Sequence, residues 1–315
     1  MRIAIWGSGA IGGVAGAGMA AAGEDVLLVD IMPEHVAAMN ERGLLVKFGK
    51  EEQRVPVRAA LPAQVTGTFD LVFLAVKSQY REDALTQILP HLTPQSAVIS
   101  LQNGVNEPHI AKRVGAERTI GCLVDVSSDC IAPGEIQRGR QGNFFVGEMD
   151  GRMTPRLEEV RRLLALSVPA YARTNIMGFV WAKICKGTVD ATTALVDTNA
   201  LELRADQKYH PIRIRLLREG ILVAAADGVK VEAFAHFDPA PFLDPSPAGV
   251  KAAFAVLDEM ARGQAHNNTR VRTGARHGVP TPINALQMKM FDEIESGRRP
   301  MQWENLQELT AALGD

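Results

Sequence analysis

The first thirty residues constrain the fold more than any other stretch of this chain. An apolar run, Ile3-Ala4-Ile5-Trp6, enters Gly7-Ser8-Gly9-Ala10-Ile11-Gly12. A small-residue helical pattern follows, and a second apolar run, Val26-Leu27-Leu28-Val29, stops at Asp30. Strand, glycine turn, helix and strand in that order, with an acid about twenty residues on, form the fingerprint of a dinucleotide-binding Rossmann unit. Gly7 permits the tight turn out of the strand, Gly9 lets backbone amides approach a pyrophosphate, and Gly12 lets the helix pack close to the sheet. Ser8, Ala10 and Ile11 complete the loop, where the helix N-terminus offers unpaired N–H groups and a positive dipole end to phosphate.

Asp30 bears on the choice of cofactor. A carboxylate at this place accepts hydrogen bonds from the adenosine ribose hydroxyls and repels the 2′-phosphate that an arginine accommodates. Ile31, Met32, Pro33 and Glu34 follow without a cation, so NAD is the expected cofactor and NADP the possible one. The alternative role for Asp30 is to cap a helix starting near Pro33.

The chain has 315 residues, which is long for one core and suits two domains. With 34 basic against 36 acidic residues, nothing points to a nucleic-acid partner. Arg213, Arg215 and Arg218 stand at helical spacing and are expected on a solvated face. Cys122, Cys130 and Cys185 lack metal-ligand spacing and cannot all pair, which fits a reducing compartment and no metal site. No cleavable signal pattern and no apolar stretch of membrane-spanning length occur, so a cytoplasmic protein without membrane partners is expected.

Strand candidates at 2–6, 25–30, 70–76, 96–101 and 119–124 alternate with helical stretches, which implies parallel strands joined by crossover helices. Two hairpins are expected to decorate them. Leu44 to Phe48 and Arg54 to Arg58 flank Gly49-Lys50, and a Pro133-Gly134 turn separates residues near Val124 from Ile136. A helix near 155–166 and an extended piece, Ala170 to Thr174, close this part. Helical patterns then dominate at 178–197, 210–227, 248–262, 266–277 and 282–295, with a Pro-rich loop at 238–247. The reading is an α/β Rossmann domain with a doubly wound parallel sheet, residues 1–174, followed by an all-helical substrate and dimerisation domain, residues 175–315. The long apolar helix faces leave room for a homodimer.

Three constellations could carry chemistry. Lys77, in Ala75-Val76-Lys77-Ser78-Gln79, and Asn103, in Gln102-Asn103-Gly104, each follow a strand of the parallel sheet. Ligands in such sheets bind beyond the carboxyl ends of the strands, so both residues point to the cofactor crevice. The third lies in Trp181-Ala182-Lys183-Ile184-Cys185-Lys186-Gly187-Thr188-Val189-Asp190. Lys183, Lys186 and Asp190 recur at three- and four-residue spacing and share a helix face. A lysine on a buried helix is costly unless it pairs or works. Reduction of a 2-oxo acid needs a proton donor at the carbonyl oxygen, which a lysine supplies while stabilising the developing alkoxide. The other reading is a Lys186–Asp190 ion pair with Lys183 reaching to solvent.

Taken together, GxGxxG, Ala75-Val76-Lys77, Gln102-Asn103-Gly104, Trp181-x-Lys183 and the terminal His277-Gly278-Val279-Pro280-Thr281-Pro282 resemble the ketopantoate reductase family over almost the whole chain. The resemblance implies a Rossmann domain, a helical domain like that of 6-phosphogluconate dehydrogenase, and a cleft between them. It also implies that Lys183 is the general acid, that Lys77 and Asn103 contact cofactor and substrate, and that a nicotinamide donates hydride. Several places depart from the family pattern. Where members usually carry asparagines four and eight residues after the lysine, this chain has Gly187 and Ala191, or Lys186 and Asp190 if one residue is deleted. Asn199 is a match for a later N-G-E element. Phe254 falls near the usual serine, and His266-Asn267-Asn268 replace T-E-I-D, with Glu259 a loose substitute for its glutamate. Lys186, Asp190, Asn199, His266 and Asn267 are therefore the candidate substrate contacts. Typical members prefer NADPH, whereas Asp30 points to NAD.

The expected activity is interconversion of a small 2-oxo acid and its 2-hydroxy acid by a nicotinamide-dependent oxidoreductase with a rewritten substrate pocket. Reduction of ketopantoate itself is the alternative within enzymes. A dinucleotide-binding sensor without catalysis is the alternative outside them, and retention of Lys77, Asn103 and Lys183 counts against it.

Overall fold

A computed structural model describes residues 1–139, 142–196, 203, 206–260 and 279–313. The chain divides into two compact units, Met1–Ile176 and Met177–Asp315.

The first unit is built on an eight-stranded sheet. In chain order its strands are β1 (Ile3–Trp6), β2 (Val26–Val29), β5 (Arg58–Ala60), β6 (Phe69–Leu74), β7 (Leu92–Ser100), β8 (Thr119–Asp125), β11 (Asn143–Glu148) and β12 (Ala170–Ala172). Their spatial order is β12-β11-β8-β7-β6-β1-β2-β5. From β8 to β5 every pairing is parallel. The helices α1 (Ala10–Ala21), α2 (Pro33–Arg42), α3 (Arg81–Ile88), α4 (Glu107–Val114) and α5 (Pro155–Ala165) accompany it. Unbroken apolar runs form these strands because both sheet faces are covered. On β1, Ile3 and Ile5 enter one core while Ala4 and Trp6 enter the other. On β6, Leu71 and Phe73 divide from Val72 and Leu74 in the same way.

Two features differ from the sequence expectation. β11 was not expected at all, and it pairs antiparallel to β8, Phe144 opposite Val124, so the parallel sheet ends in two reversed strands. The first hairpin is also tighter than expected. Its second strand is β4 (Glu51–Val55), paired with β3 (Leu44–Phe48) through a two-residue turn. Gly49, at φ +60, supplies the left-handed conformation that such a turn needs. Arg58 starts a separate strand, β5, beside β2. The second hairpin, β9 (Ser128–Ala132) and β10 (Glu135–Arg138), turns at Pro133-Gly134 as expected. The two hairpins fuse through parallel pairing of β3 with β10 into a separate sheet, β4-β3-β10-β9. This sheet rests on α1, where a side chain on Gly13 would overlap Ile136 and reach Leu44.

In the second unit, α6 (Ile176–Ala191) passes into a 3-10 turn at Thr192–Leu195 rather than continuing to 197. After it come α7 (His210–Ala226), α8 (Ala240–Leu243), α9 (Pro247–Met260), α10 (Pro282–Glu295) and α11 (Trp303–Ala311). α8 interrupts the expected Pro-rich loop, and α11 was not foreseen. The expected helix at 266–277 lies outside the described residues. Ile212, Leu216, Ile283, Met290, Leu306 and Leu309 form the core of this unit. Arg213 corrects the expectation of a solvated basic face. It is 1 % exposed and donates to the backbone carbonyls of Leu203 and Asp206, which offset part of the cost of burying its guanidinium. Among the described residues, no helix is long and apolar enough to cross a membrane.

Candidate active site

The loop Gly7–Gly12 joins β1 to α1, and each of its glycines is needed for a different reason. Gly7 has φ +93, and a Cβ there would lie 2.7 Å from the backbone nitrogen of Val76. A Cβ on Gly12 would overlap the Gly7 carbonyl oxygen and lie 2.9 Å from Ile5. Gly9 differs. Its φ is −67, and a Cβ would meet nothing within 4 Å. Packing does not call for glycine there, although its ψ of −146 lies outside the regions that other residues favour, and the missing side chain also leaves open space in front of the loop. That space, at the amino end of α1, fits a dinucleotide pyrophosphate.

Ser8 is fully buried and tied to Asp30 at the end of β2. Its backbone N–H donates to Asp30 Oδ2 at 2.9 Å, while the N–H of Met32 donates to Oδ1 at 3.1 Å. Asp30 is thus anchored to the glycine loop. The N-cap position of α2 belongs to Met32, not to Asp30. Beyond Asp30 lies a depression of about 460 Å³ lined by Ile31, Pro33, Leu61, Pro62, Ala63 and Gln87, with no cationic side chain.

Lys77 and Asn103 are exposed and follow the neighbouring strands β6 and β7. The two loops are laced together. Gln102 Nε2 donates to the Val76 carbonyl at 2.6 Å. The Asn103 carbonyl accepts from Ser78 Oγ at 3.1 Å and from Asn106 Nδ2 at 2.9 Å, and Arg81 holds Asn106 Oδ1 at 2.8 Å. Gly104, at φ +100, makes the turn. Ser78, Arg81, Gln102 and Asn106 were not singled out in the sequence, because polar residues in a βα loop carry no periodic signal. Gly7–Gly12, Asp30, Lys77 and Asn103 thus stand at the carboxyl ends of four adjacent parallel strands, β7-β6-β1-β2.

Below Asn106 sits Glu107, fully buried at the first turn of α4. Its Oε2 accepts the N–H of Asn106 at 3.0 Å. Loss of water pushes its carboxyl up to about 7, against the opposing pull of backbone N–H groups and Ser100. Between the ordinary value of 4.5 and about 7, the folded chain keeps a proton that the unfolded chain has released. Stability therefore falls as pH rises through that window, by about 3 kcal/mol in total. Glu107→Gln should melt about 5 °C above the parent at pH 8 and near it at pH 4.5. A variant melting at or below the parent at pH 8 contradicts this account.

In the second unit, α6 buries Trp181, Ala182, Ile184 and Cys185, while Lys183 and Lys186 remain half-exposed. Lys186 Nζ donates to the Ala235 carbonyl at 3.0 Å and lies 5.3 Å from the Phe234 ring. Asp190 is buried. Ala235 and His236 are non-glycine residues at positive φ, +43 and +63, and His236 Nδ1 lies 3.1 Å from Glu259. Phe254, near the expected serine position, packs against the ring of His210, centroids 4.9 Å apart. Asn199, His266 and Asn267 lie outside the described residues.

The sequence profile of the family described as Ketopantoate reductase PanE/ApbA matches residues 3–151. A 2-dehydropantoate 2-reductase of Pyrococcus abyssi is 31% identical over 241 residues, 74% of this chain and 76% of that protein. One from Mesorhizobium japonicum is 28% identical over 253 residues, 73% of this chain and 78% of that protein. Among solved structures, the ternary complex of D-mandelate dehydrogenase with NADH and anilino(oxo)acetate superposes with a TM-score of 0.73 at 21% identity. It covers 99% of this chain and 100% of that one.

Proposed function

Because the chain belongs to the ketopantoate reductase family of oxidoreductases, we propose that it reduces a small 2-oxo acid to the 2-hydroxy acid with NADH, Lys183 supplying the proton. The pyridine nucleotide is the family's cofactor, and the observation that carries the reading is the open space before Gly9 at the amino end of α1, where a Cβ would meet no atom within 4 Å.

When bound, the nicotinamide supplies the hydride. This chain's own residues do the rest. The Gly7–Gly12 loop and the start of α1 would hold the pyrophosphate, Asp30 would hold the adenosine ribose, and Asn103, its backbone carbonyl doubly tethered, would offer its side-chain amide to substrate or nicotinamide. As hydride adds to the carbonyl carbon, the Lys183 ammonium gives its proton to the carbonyl oxygen and is left neutral until it is reprotonated from water. Lys186 adds a positive charge on the same face of α6 for the substrate carboxylate.

NADH is favoured over NADPH because the Asp30 carboxylate is held by two backbone N–H groups and the adjoining depression offers no cation to a 2′-phosphate. The parent should use NADH with kcat/KM at least about tenfold above NADPH. Asp30→Asn should shrink that ratio mainly by improving NADPH. Equal use of both nucleotides by the parent speaks against the assignment.

The relatives from Mesorhizobium japonicum and Pyrococcus abyssi are 2-dehydropantoate 2-reductases, which favours ketopantoate as a second reading of the substrate. Gly187 and Ala191, where family members usually hold asparagines, favour a different acid. Initial rates with NADH and NADPH across a panel of 2-oxo acids that includes ketopantoate separate the two. Tight NADH binding without turnover of any member would leave a sensor.

A further inference from the structure

We propose that His35 is the positioning residue of the pyrophosphate loop, acting as a two-sided clamp between Ser8 and the Pro133-Gly134 turn of the second sheet. The inference rests on the reading of this loop as a dinucleotide site and adds a residue outside its fingerprint.

His35 lies in the first turn of α2 and is 5 % exposed. Its Nδ1 accepts the N–H of Gly134 at 2.9 Å. In the neutral ring the single proton then belongs on Nε2, which donates to the Ser8 carbonyl oxygen at 3.0 Å. Gly134 is held on its other side as well, its carbonyl accepting the N–H of Leu45 at 2.9 Å. The ring therefore bridges two backbone groups with one tautomer, and either group would be left buried without a partner if the ring were removed.

The consequence lies one bond further on. A peptide unit is planar and trans, so its N–H points opposite to its C=O. His35 draws the Ser8 carbonyl inward and so turns the Gly9 N–H away from itself. Asp30 fixes the preceding peptide through the Ser8 N–H. The two peptides that flank Ser8 are thus pinned from opposite sides, one by a carboxylate and one by an imidazole. Gly9, with no side chain to resist rotation, would otherwise let its peptide flip.

Two substitutions divide the clamp. The Oδ1 of asparagine takes the place of Nδ1, so His35→Asn keeps the acceptor for Gly134 and loses the donor to Ser8. The Nε2 of glutamine takes the place of the ring Nε2, so His35→Gln keeps the donor and loses the acceptor. Thermal unfolding without nucleotide and NADH titration by fluorescence are measured on both. Both variants should melt below the parent, but only H35N should bind NADH about tenfold more weakly, with KM for NADH raised and kcat at saturation within twofold. H35Q should bind within threefold of the parent. Parent-like binding by H35N, or equal weakening in both variants, overturns the clamp and leaves a structural histidine. No binding of NADH or NADPH by the parent overturns the dinucleotide reading and the clamp together. Nitrogen-15 spectra of the histidine-labelled parent need no variant. They should show His35 protonated on Nε2, and an Nδ1–H tautomer refutes the proposal.

Discussion

Gly9→Ala is expected to melt within a few degrees of the parent and to bind NADH about a hundredfold more weakly. The two halves of that result have separate causes. The methyl group meets no protein atom within 4 Å, so the folded chain loses only the preference of this backbone conformation, ψ −146, and of a helix N-cap for glycine over alanine, about 1–2 kcal/mol together. A ligand phosphate seated on the loop meets the methyl directly. Displacing it by one or two charge-assisted hydrogen bonds, each about 1.5–3 kcal/mol, gives the stated loss of affinity. Gly12→Ala serves as the contrast, since its methyl collides with the Gly7 carbonyl and Ile5 and should lower stability itself. Parent-like NADH affinity in Gly9→Ala would remove the ground for a pyrophosphate at this loop.

Lys183→Ala is expected to lower kcat about a thousandfold, within the range that general-acid catalysis contributes, with NADH affinity within twofold and little change in melting. Its neighbours on α6 supply the buried face, so truncation of the half-exposed lysine opens no core cavity. Lys183→Arg separates charge from proton. A guanidinium retains its proton at neutral pH, so this variant should remain slow although its charge is kept. Full turnover in Lys183→Arg would reduce Lys183 to an electrostatic contact, and full turnover in Lys183→Ala would remove it from the chemistry.

The opening strand, glycine turn, helix and second strand were legible because their signals are local. Ile3 to Trp6, the glycines and Asp30 lie within thirty residues, and strands buried on both faces announce themselves as apolar runs. Direction was not legible. Asn143–Glu148 reads as a strand only once its antiparallel partner, Thr119–Asp125, is known, and nothing local sets the sense of a strand. The hairpin second strand was misplaced because Arg54 to Arg58 straddles the end of one strand and the start of another, divided at Pro56. Arg213 was assigned to solvent from its helical spacing with Arg215 and Arg218, whereas the carbonyls that hold it belong to Leu203 and Asp206, in the stretch before α7 where that spacing says nothing. His35 escaped notice because its contacts are far apart in the chain. Its two partners, at Ser8 and Gly134, lie 27 and 99 residues away in the chain.

That last span has a consequence for how the molecule comes into being. The glycine loop leaves the ribosome before the turn that finishes it and the strand Glu135–Arg138 that pairs in parallel with Leu44–Phe48, which emerge about a hundred residues later. Closing so long a loop delays the contact until most of the unit has been synthesised. A loop made before the turn that braces it leaves the nascent chain without an ordered glycine loop until the rest of the unit is in place to support it.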